Sequence, residues 1–151
     1  MKTCLVQSDQ SEVLAAVHAL AFERPWGAGE IAALLETSGV FALVAEPGDP
    51  VGMIMCRTVA DEAEILTLAV APRARRRGVA RGLVVAATDL VRLAGAEALL
   101  LEVGTANTAA IALYDRLEFI PAGRRRAYYD RGAGAREDAL VLRLDLTPPA
   151  R

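Results

Sequence analysis

The sequence predicts an α/β domain whose mixed central β-sheet carries helices on both faces. Three strand-like runs follow one another between residues 40 and 71 with only tight turns between them, which is the signature of antiparallel hairpins. Two runs further on, Ile65-Leu66-Thr67-Leu68-Ala69-Val70 and residues 98–103, flank a strongly amphipathic helical stretch, which implies a crossover and a parallel pair. The order that results is β-α-α-β-β-β-α-β-α-β-β, with about seven strands in one sheet.

Residues 3–7 alternate weakly and read as an opening strand. Ser8 and Asp9 give an N-cap signal, and Val13, Leu14, Val17, Leu20 and Ala21 follow as a helical stripe. Pro25-Trp26-Gly27 breaks that helix. A shorter one covers about residues 29–37 and ends at Ser38-Gly39. Strands at 40–46 and 51–59 are joined by the turn Pro47-Gly48-Asp49-Pro50, and Asp61-Glu62 turns the chain into the strand 63–71. Ala80, Leu83, Val84, Ala87, Leu90, Val91 and Ala94 recur at helical spacing, and Gly95 is a C-cap signal. After the buried strand 98–103, Asn107 caps a helix whose apolar face is Ala110, Leu113, Tyr114 and Leu117. Residues 119–129 and 139–146 complete the sheet; in the last strand Leu140, Leu142, Leu144 and Leu146 alternate with other residues. One domain thus spans 1–146, and the tail 147–151 is expected to fray.

A chain of 151 residues is long enough for a proper core. No apolar run is long enough to span a bilayer, and Met1-Lys2-Thr3-Cys4 lacks the charged-then-apolar pattern of a signal peptide, so a cytoplasmic address is expected. Cys4 and Cys56 lie far apart without metal-ligand spacing and are expected as free thiols. With His18 as the one histidine, a histidine-rich metal site is excluded, and His18 reads as a helix-face residue, not a catalyst. The net charge of −2 argues against general nucleic-acid binding. The oligomeric state stays open.

The charge is unevenly spread. Positive charge is almost entirely arginine, gathered at 73–81 and 124–126, and acidic residues gather at Asp61-Glu62-Ala63-Glu64 and Glu137-Asp138. Arginine clusters suit phosphate, because the guanidinium is a planar fork of donors. Acidic clusters suit a cationic partner or simply a solvated strand end. The stretch Arg75-Arg76-Arg77-Gly78-Val79-Ala80 stands between a strand and a helix. A glycine opening a helix turns several unpartnered backbone N–H groups toward one point, where the helix dipole adds positive charge. That is a site for a phosphate-bearing ligand, with a pyrophosphate the best match. Glu102 stands at the carboxyl end of a central strand, where ligands of such sheets bind. Taken alone, Glu102 reads as a strand-end carboxylate in a salt bridge, and Tyr114 as a packed residue of a helix face.

These motifs in this order resemble the GNAT superfamily of acyl-CoA-dependent N-acetyltransferases. Its Q/R-x-x-G-x-G/A signature after the fourth strand is matched by Arg75-Arg76-Arg77-Gly78-Val79-Ala80. Pro25-Trp26, Leu68-Ala69-Val70, Leu101-Glu102-Val103, Asn107 with Ala109-Ala110-Ile111-Ala112-Leu113-Tyr114, Arg125-Arg126-Ala127-Tyr128-Tyr129 and Arg136-Glu137-Asp138-Ala139 most resemble the branch that acetylates the N-terminal alanine of ribosomal protein S18. The resemblance implies acetyl-CoA as co-substrate, no metal, and a protein N-terminus as acceptor. It also implies Glu102 as general base acting through a water, and Tyr114 as the hydroxyl that meets the leaving thiolate. Backbone groups of Leu68, Ala69 and Val70 are then expected on the pantetheine amides, and Arg76, Arg77, Gly78, Val79, Ala80 and Arg81 around the pyrophosphate. Asn107 is expected at the thiol end. Tyr128, Tyr129, Glu62, Glu64, Glu137 and Asp138 are candidates for the peptide groove, with surface or packing roles as the alternative.

The chain departs from that branch at three places. Gly104 replaces an arginine, Thr105-Ala106-Asn107 replaces alanine-serine-asparagine, and Glu118 stands where a glycine would ease the turn. The acceptor class also has a physical argument. An α-amine has a pKa of about 8 and a lysine about 10.4, so a single carboxylate suits an N-terminus better. A lysine, a small amine, or a non-catalytic acyl-CoA-binding module are the alternatives. The presence of Glu102, Asn107 and Tyr114 together favours an enzyme.

Overall fold

The computed structural model describes the backbone of residues 1–130 and 136–146 and the side chains of 1–124 and 138–146. The tail 147–151 and the side chains of Tyr128, Tyr129 and Glu137 lie outside the described residues.

The elements are β1 (Thr3–Leu5), α1 (Ser11–Ala21), α2 (Ala28–Leu35), β2 (Val40–Ala45), β3 (Gly52–Val59), β4 (Glu62–Val70), α3 (Val79–Leu93), β5 (Ala98–Gly104), α4 (Thr108–Arg116), β6 (Ile120–Asp130) and β7 (Arg136–Asp145). The order is the one the sequence predicts. All strands join one seven-stranded sheet in the order β1-β2-β3-β4-β5-β7-β6. Every neighbouring pair is antiparallel except β4 and β5, which are parallel.

Two apolar layers cover the sheet. On one face Leu83, Val84, Ala87 and Val91 of α3, with Tyr114 of α4, pack on Ile54, Cys56, Ile65, Leu99, Leu101 and Val103. On the other, Leu14 and Val17 of α1 and Ile31 of α2 pack on Ala42, Val44, Met53, Met55 and Ala69. Burying the valine, leucine, isoleucine and methionine side chains among these contributes about 1.5–3 kcal/mol each.

The first helix differs from its prediction at both its start and its face. Ser8 and Asp9 do not cap it; they form a 3₁₀ turn, Ser8–Gln10, and α1 starts at Ser11 behind Gln10, which makes no side-chain cap bond. Its buried side is Ser11, Leu14, Val17 and His18, whereas Val13 and Leu20 are 38% and 50% exposed. Each of those two precedes an inward-facing position, Leu14 or Ala21, by one residue, so it lies about 100° round the helix. In α3 the inner face begins at Val79, with Ala80 half-buried beside it.

The ends of α3 and α4 share one device. Ala96 N–H donates to Val91 O and Gly95 N–H to Arg92 O, and likewise Phe119 N–H donates to Tyr114 O and Glu118 N–H to Asp115 O. Both are paired closures that need a left-handed residue after the cap. Gly95 supplies it at φ 97°, and Glu118 adopts it at φ 71° without being glycine.

Two features of β4 create the site. Its pairing with β5 covers only Glu62–Glu64 against Ala98–Leu100, after which no β4–β5 pair exists among the described residues. Its register with β3 also slips: Met55 faces Thr67 and Cys56 faces Ile65, leaving Leu66 as a bulge. A bulge bends the strand and re-aims side chains. Ala63 and Ile65 before it and Leu68 and Val70 after it face α3, so Leu66 and Thr67 both turn toward α1.

Candidate active site

The splayed strands open a cleft of about 750 Å³. It is bordered by His18, Phe22, Glu23, Arg24 and Trp26 on the α1 side, by Ile65, Leu66, Thr67 and Leu68 of β4, and by Leu101, Glu102, Val103, Gly104, Asn107, Ala110 and Tyr114. A second hollow of about 390 Å³ adjoins it, lined by Arg57, Glu62, Glu64, Leu100, Glu102 and Val141 among others. Glu102 borders both. Leu101 and Val103 are buried in the α3–α4 layer, so Glu102 between them points to the opposite face, half-buried.

Tyr114 comes from the α3–α4 side. Its ring is 5% exposed and meets Phe119 edge-on at 5.4 Å and 63°. It therefore packs in the core, as its place on the helix face predicts, and also borders the cleft. Asn107 caps α4 as predicted: its Oδ1 accepts from Ala110 N–H at 3.2 Å. That leaves its amide N–H groups as the donors it can offer a ligand.

Leu68, Ala69 and Val70 pair with Ile54, Met53 and Gly52 on the β3 side only. Their other backbone edge has no neighbouring strand among the described residues. Apart from Val70 O, which accepts from Arg75 Nε, an extended amide-bearing chain could add to the sheet there. In the arginine loop Arg76 and Gly78 both have positive φ, 63° and 78°. Backbone that alternates in this way turns successive N–H groups into a concave, anion-binding shape. The first N–H groups of α3 add to it, since they have no partner within the helix. A Cβ on Gly78 would meet nothing within 4 Å, so the space beside that backbone is open.

The arginines divide. Arg73 is committed to Asp49 at 3.1 Å, and Arg75 Nε donates to Val70 O at 3.4 Å. Arg76, Arg77 and Arg81 are exposed at the mouth of the loop. Val79 is buried and Ala80 half-buried, so these two offer backbone and not side chains. The donor set, cationic forks around convergent N–H groups beside an open strand edge, fits a pyrophosphate followed by a diamide chain.

The acidic candidates are more neutral than their sequence clusters imply. Glu62 pairs with Arg143 at 3.5 Å, Glu64 with Arg57 at 3.4 Å and Asp138 with Arg124 at 2.8 Å. Among the described residues, no three His, Cys, Asp or Glu side chains gather as a metal site. No described helix is long and apolar enough to cross a membrane.

Sequence reasoning missed the α1-side wall. His18 is a helix-face residue as predicted, but its face is the cleft: the ring is buried, bonds Thr67 and Trp26, and stacks on Phe22 and Trp26. A signal was present in the apolar pattern of β4, where inward residues shift from odd to even numbers between Ile65 and Leu68. That shift marks the bulge that brings Thr67 to His18.

A cleft between parted strands, bordered by a strand-end carboxylate and a helix tyrosine and set beside a glycine-opened helix start, has the layout expected of an acyl-CoA N-acetyltransferase. The model of the acetyltransferase (GNAT) family matches residues 9–119, and the chain belongs to that family. The [ribosomal protein bS18]-alanine N-acetyltransferase of Haemophilus ducreyi is 34% identical to it over 125 residues, 81% of this chain and 84% of that protein. The crystal structure of the ribosomal-protein-S18-alanine N-acetyltransferase from Escherichia coli superposes with a TM-score of 0.88 at 28% identity, covering 99% of this chain and 97% of that one. Arabidopsis thaliana NAA60 in complex with acetyl-CoA shares the fold, with a TM-score of 0.81 at 18% identity over 96% of this chain and 99% of that one.

Proposed function

We propose that this enzyme transfers the acetyl group of acetyl-CoA to a protein N-terminal α-amine, the N-terminal alanine of ribosomal protein S18. The observation that carries the acceptor is the relation to S18-alanine N-acetyltransferases across most of both chains. The donor reading rests on the loop of Arg76, Arg77, Gly78, Val79, Ala80 and Arg81 and on the open edge of Leu68, Ala69 and Val70, with Asn107 at the thiol end. A cytoplasmic address and a single domain over 1–146 go with this reading.

Glu102 takes the proton from the acceptor ammonium, through a water, and the amine nitrogen attacks the thioester carbonyl. The tetrahedral intermediate collapses with loss of the thiolate. The nitrogen gives up its second proton, which ends on the thiol of free CoA, while the first passes from Glu102 to solvent. Tyr114 donates a hydrogen bond to that developing thiolate. A phenol of pKa about 10 is a weaker acid than a thiol of about 8.5, so full proton transfer would be uphill by about 2 kcal/mol and is linked to release. The product is an N-acetylated α-amine and free CoA.

The test is a turnover assay with acetyl-CoA against an S18-like peptide starting Ala-Arg, lysine peptides blocked at the N-terminus, and polyamines. The Ala-Arg peptide should turn over fastest. Preferred turnover of a lysine peptide or polyamine would retain the acetyltransferase and reject the acceptor.

A further inference from the structure

His18 is 2% exposed, yet it borders the cleft. Both ring nitrogens are engaged: Nδ1 lies 3.1 Å from the backbone N of Trp26, and Nε2 lies 3.0 Å from Thr67 Oγ1. A backbone N–H can only donate, so Nδ1 is the unprotonated acceptor. The ring proton therefore sits on Nε2 and is donated to the Thr67 hydroxyl. Phe22 stacks on the ring at 4.3 Å and 14°, and Trp26 at 5.1 Å and 20°.

The contacts join two parts of the cleft wall, the segment that follows α1 and the bent strand β4. Thr67 follows the bulged Leu66 of β4. Phe22 closes α1, its N–H donating to His18 O, while Trp26 lies in the stretch 22–27, which is neither helix nor strand. One imidazole thus ties the irregular segment to the sheet at the point where the sheet is bent.

We infer that His18 is a positioning residue: in its neutral form it latches the segment 22–27 onto the bulge of β4 and so sets the shape of the entrance that the acceptor amine uses. The inference rests on the reading of this cleft as the acceptor entrance. A second proton, on Nδ1, would set a donor against the donor N–H of Trp26, and the latch would open. Burial holds the imidazole below its ordinary range, with the carboxylate of Glu30 on α2 acting weakly the other way. The other charged or titratable groups around the cleft are Glu23 and Arg24 on the latched segment and Glu102 and Tyr114 across it. At neutral pH the latch is closed.

Trp26 is the chain's one tryptophan, so its fluorescence reads the latch directly. In the wild-type protein its emission should titrate as pH falls, with a midpoint below about 6.5. His18→Gln has no proton to gain there and should abolish that step. At neutral pH, with acetyl-CoA saturating and an alanine-started peptide varied, His18→Leu should raise the peptide KM about tenfold, leaving kcat within about threefold and CoA affinity unchanged. His18→Gln should recover part of the loss. Thr67→Val, which removes only the Nε2 partner, should move KM the same way and guards against misfolding of the leucine variant.

Flat Trp26 emission across that acid range in the wild type would overturn the latch. So would a wild-type peptide KM in both His18→Leu and Thr67→Val. If the wild-type enzyme acetylates no α-amine, the acceptor reading falls, while the Trp26 titration still decides whether the latch exists.

Discussion

Glu102 and Tyr114 border one cleft from opposite faces of the sheet. The residues flanking Glu102 are buried against α3 and α4, so its carboxylate looks toward α1; Tyr114 is itself part of the α3–α4 layer. They share a cleft only because β4 and β5 part after Glu64 and Leu100. A thioester lying in that gap would have its carbonyl carbon open to an amine from the α1 side and its sulfur near the tyrosine. On the proposed mechanism, base and hydrogen-bond donor would then serve the two ends of one displacement.

That division predicts two distinguishable defects. Glu102→Gln should lower kcat/KM by about 10²–10⁴-fold at neutral pH, with part of the loss recovered at high pH where more amine is already neutral. Tyr114→Phe should lower kcat at all pH values and leave CoA affinity nearly intact. Wild-type rates for both variants throughout a pH–rate profile would remove these residues from the chemistry.

Gly78 offers a test of the proposed donor side. Its φ of 78° is hostile to a β-branched side chain, and a Cβ there would stand in the open space beside the loop. Gly78→Val should weaken CoA binding by at least about tenfold in calorimetry, combining strain with obstruction. Gly78→Ala should lose less. An unchanged affinity in the valine variant would place the pyrophosphate elsewhere.

Glu118 is a stability defect that can be corrected. It holds the left-handed position closing α4, which Gly95 fills at the end of α3. Its side chain is exposed. Glu118→Gly relieves the Cβ strain while adding freedom to the unfolded chain, and the net gain should be about 1 kcal/mol. Urea unfolding measures it directly, and a lower midpoint in the variant would contradict the strain.

Most of the architecture was legible because its signals are local and mutually consistent. Asn107, Gly95 and the turn Pro47-Gly48-Asp49-Pro50 mark boundaries by their own chemistry, and the alternation of β7 shows in its leucines. The misread start of α1 has a different origin. Ser8 is a good cap in isolation, but the chain enters through a 3₁₀ turn, and tertiary packing selects Leu14, Val17 and His18 as the buried face. The charge balance of the groove was also hidden. Arg57 and Glu64 are cross-strand partners, and Arg143 reaches Glu62 from distant sequence, so neither pairing follows from the acidic run alone. The His18–Thr67 bond depends on a one-residue slip in register, which only the shifted parity of β4 announces.

Cys56 supplies a pH test. Burial pushes its thiol up to about 12, above the ordinary value of 9.0. The folded state therefore keeps a proton that the unfolded chain releases, so stability should fall as pH rises from about 9 toward 12. Cys56→Ala should flatten that alkaline slope even while losing some packing. Thiol labelling near neutral pH should modify the half-buried Cys4 first, with Cys56 reacting only after denaturant is added. Rapid labelling of both in the native protein would mean the core opens easily around β3.

The proposed acceptor preference joins the proposed role of Glu102 to the charge of the hollow beside it. At pH 7 roughly a tenth of α-amines are already neutral, against well under a thousandth of lysines, so a lone carboxylate favours an N-terminus. A small first residue such as alanine should be preferred. A basic second residue should help, though modestly, because Glu62 and Glu64 in that hollow already have arginine partners at 3.5 and 3.4 Å. Those pairs are largely exposed, and such pairs are worth about 0–1 kcal/mol, so a substrate arginine can exchange into them. The benefit of a basic second residue should therefore shrink as salt rises and the Debye length falls to about 3 Å near 1 M. Gly104 borders the cleft where the resembled branch usually carries an arginine, so a different peptide or a broader range of them is expected to fit. The decisive measurement is competition between an alanine-started peptide and the same peptide blocked at its N-terminus but carrying lysine. The free α-amine should be acetylated faster at every salt concentration. Faster acetylation of the lysine peptide would sink the N-terminal assignment and leave an acetyltransferase of a different acceptor.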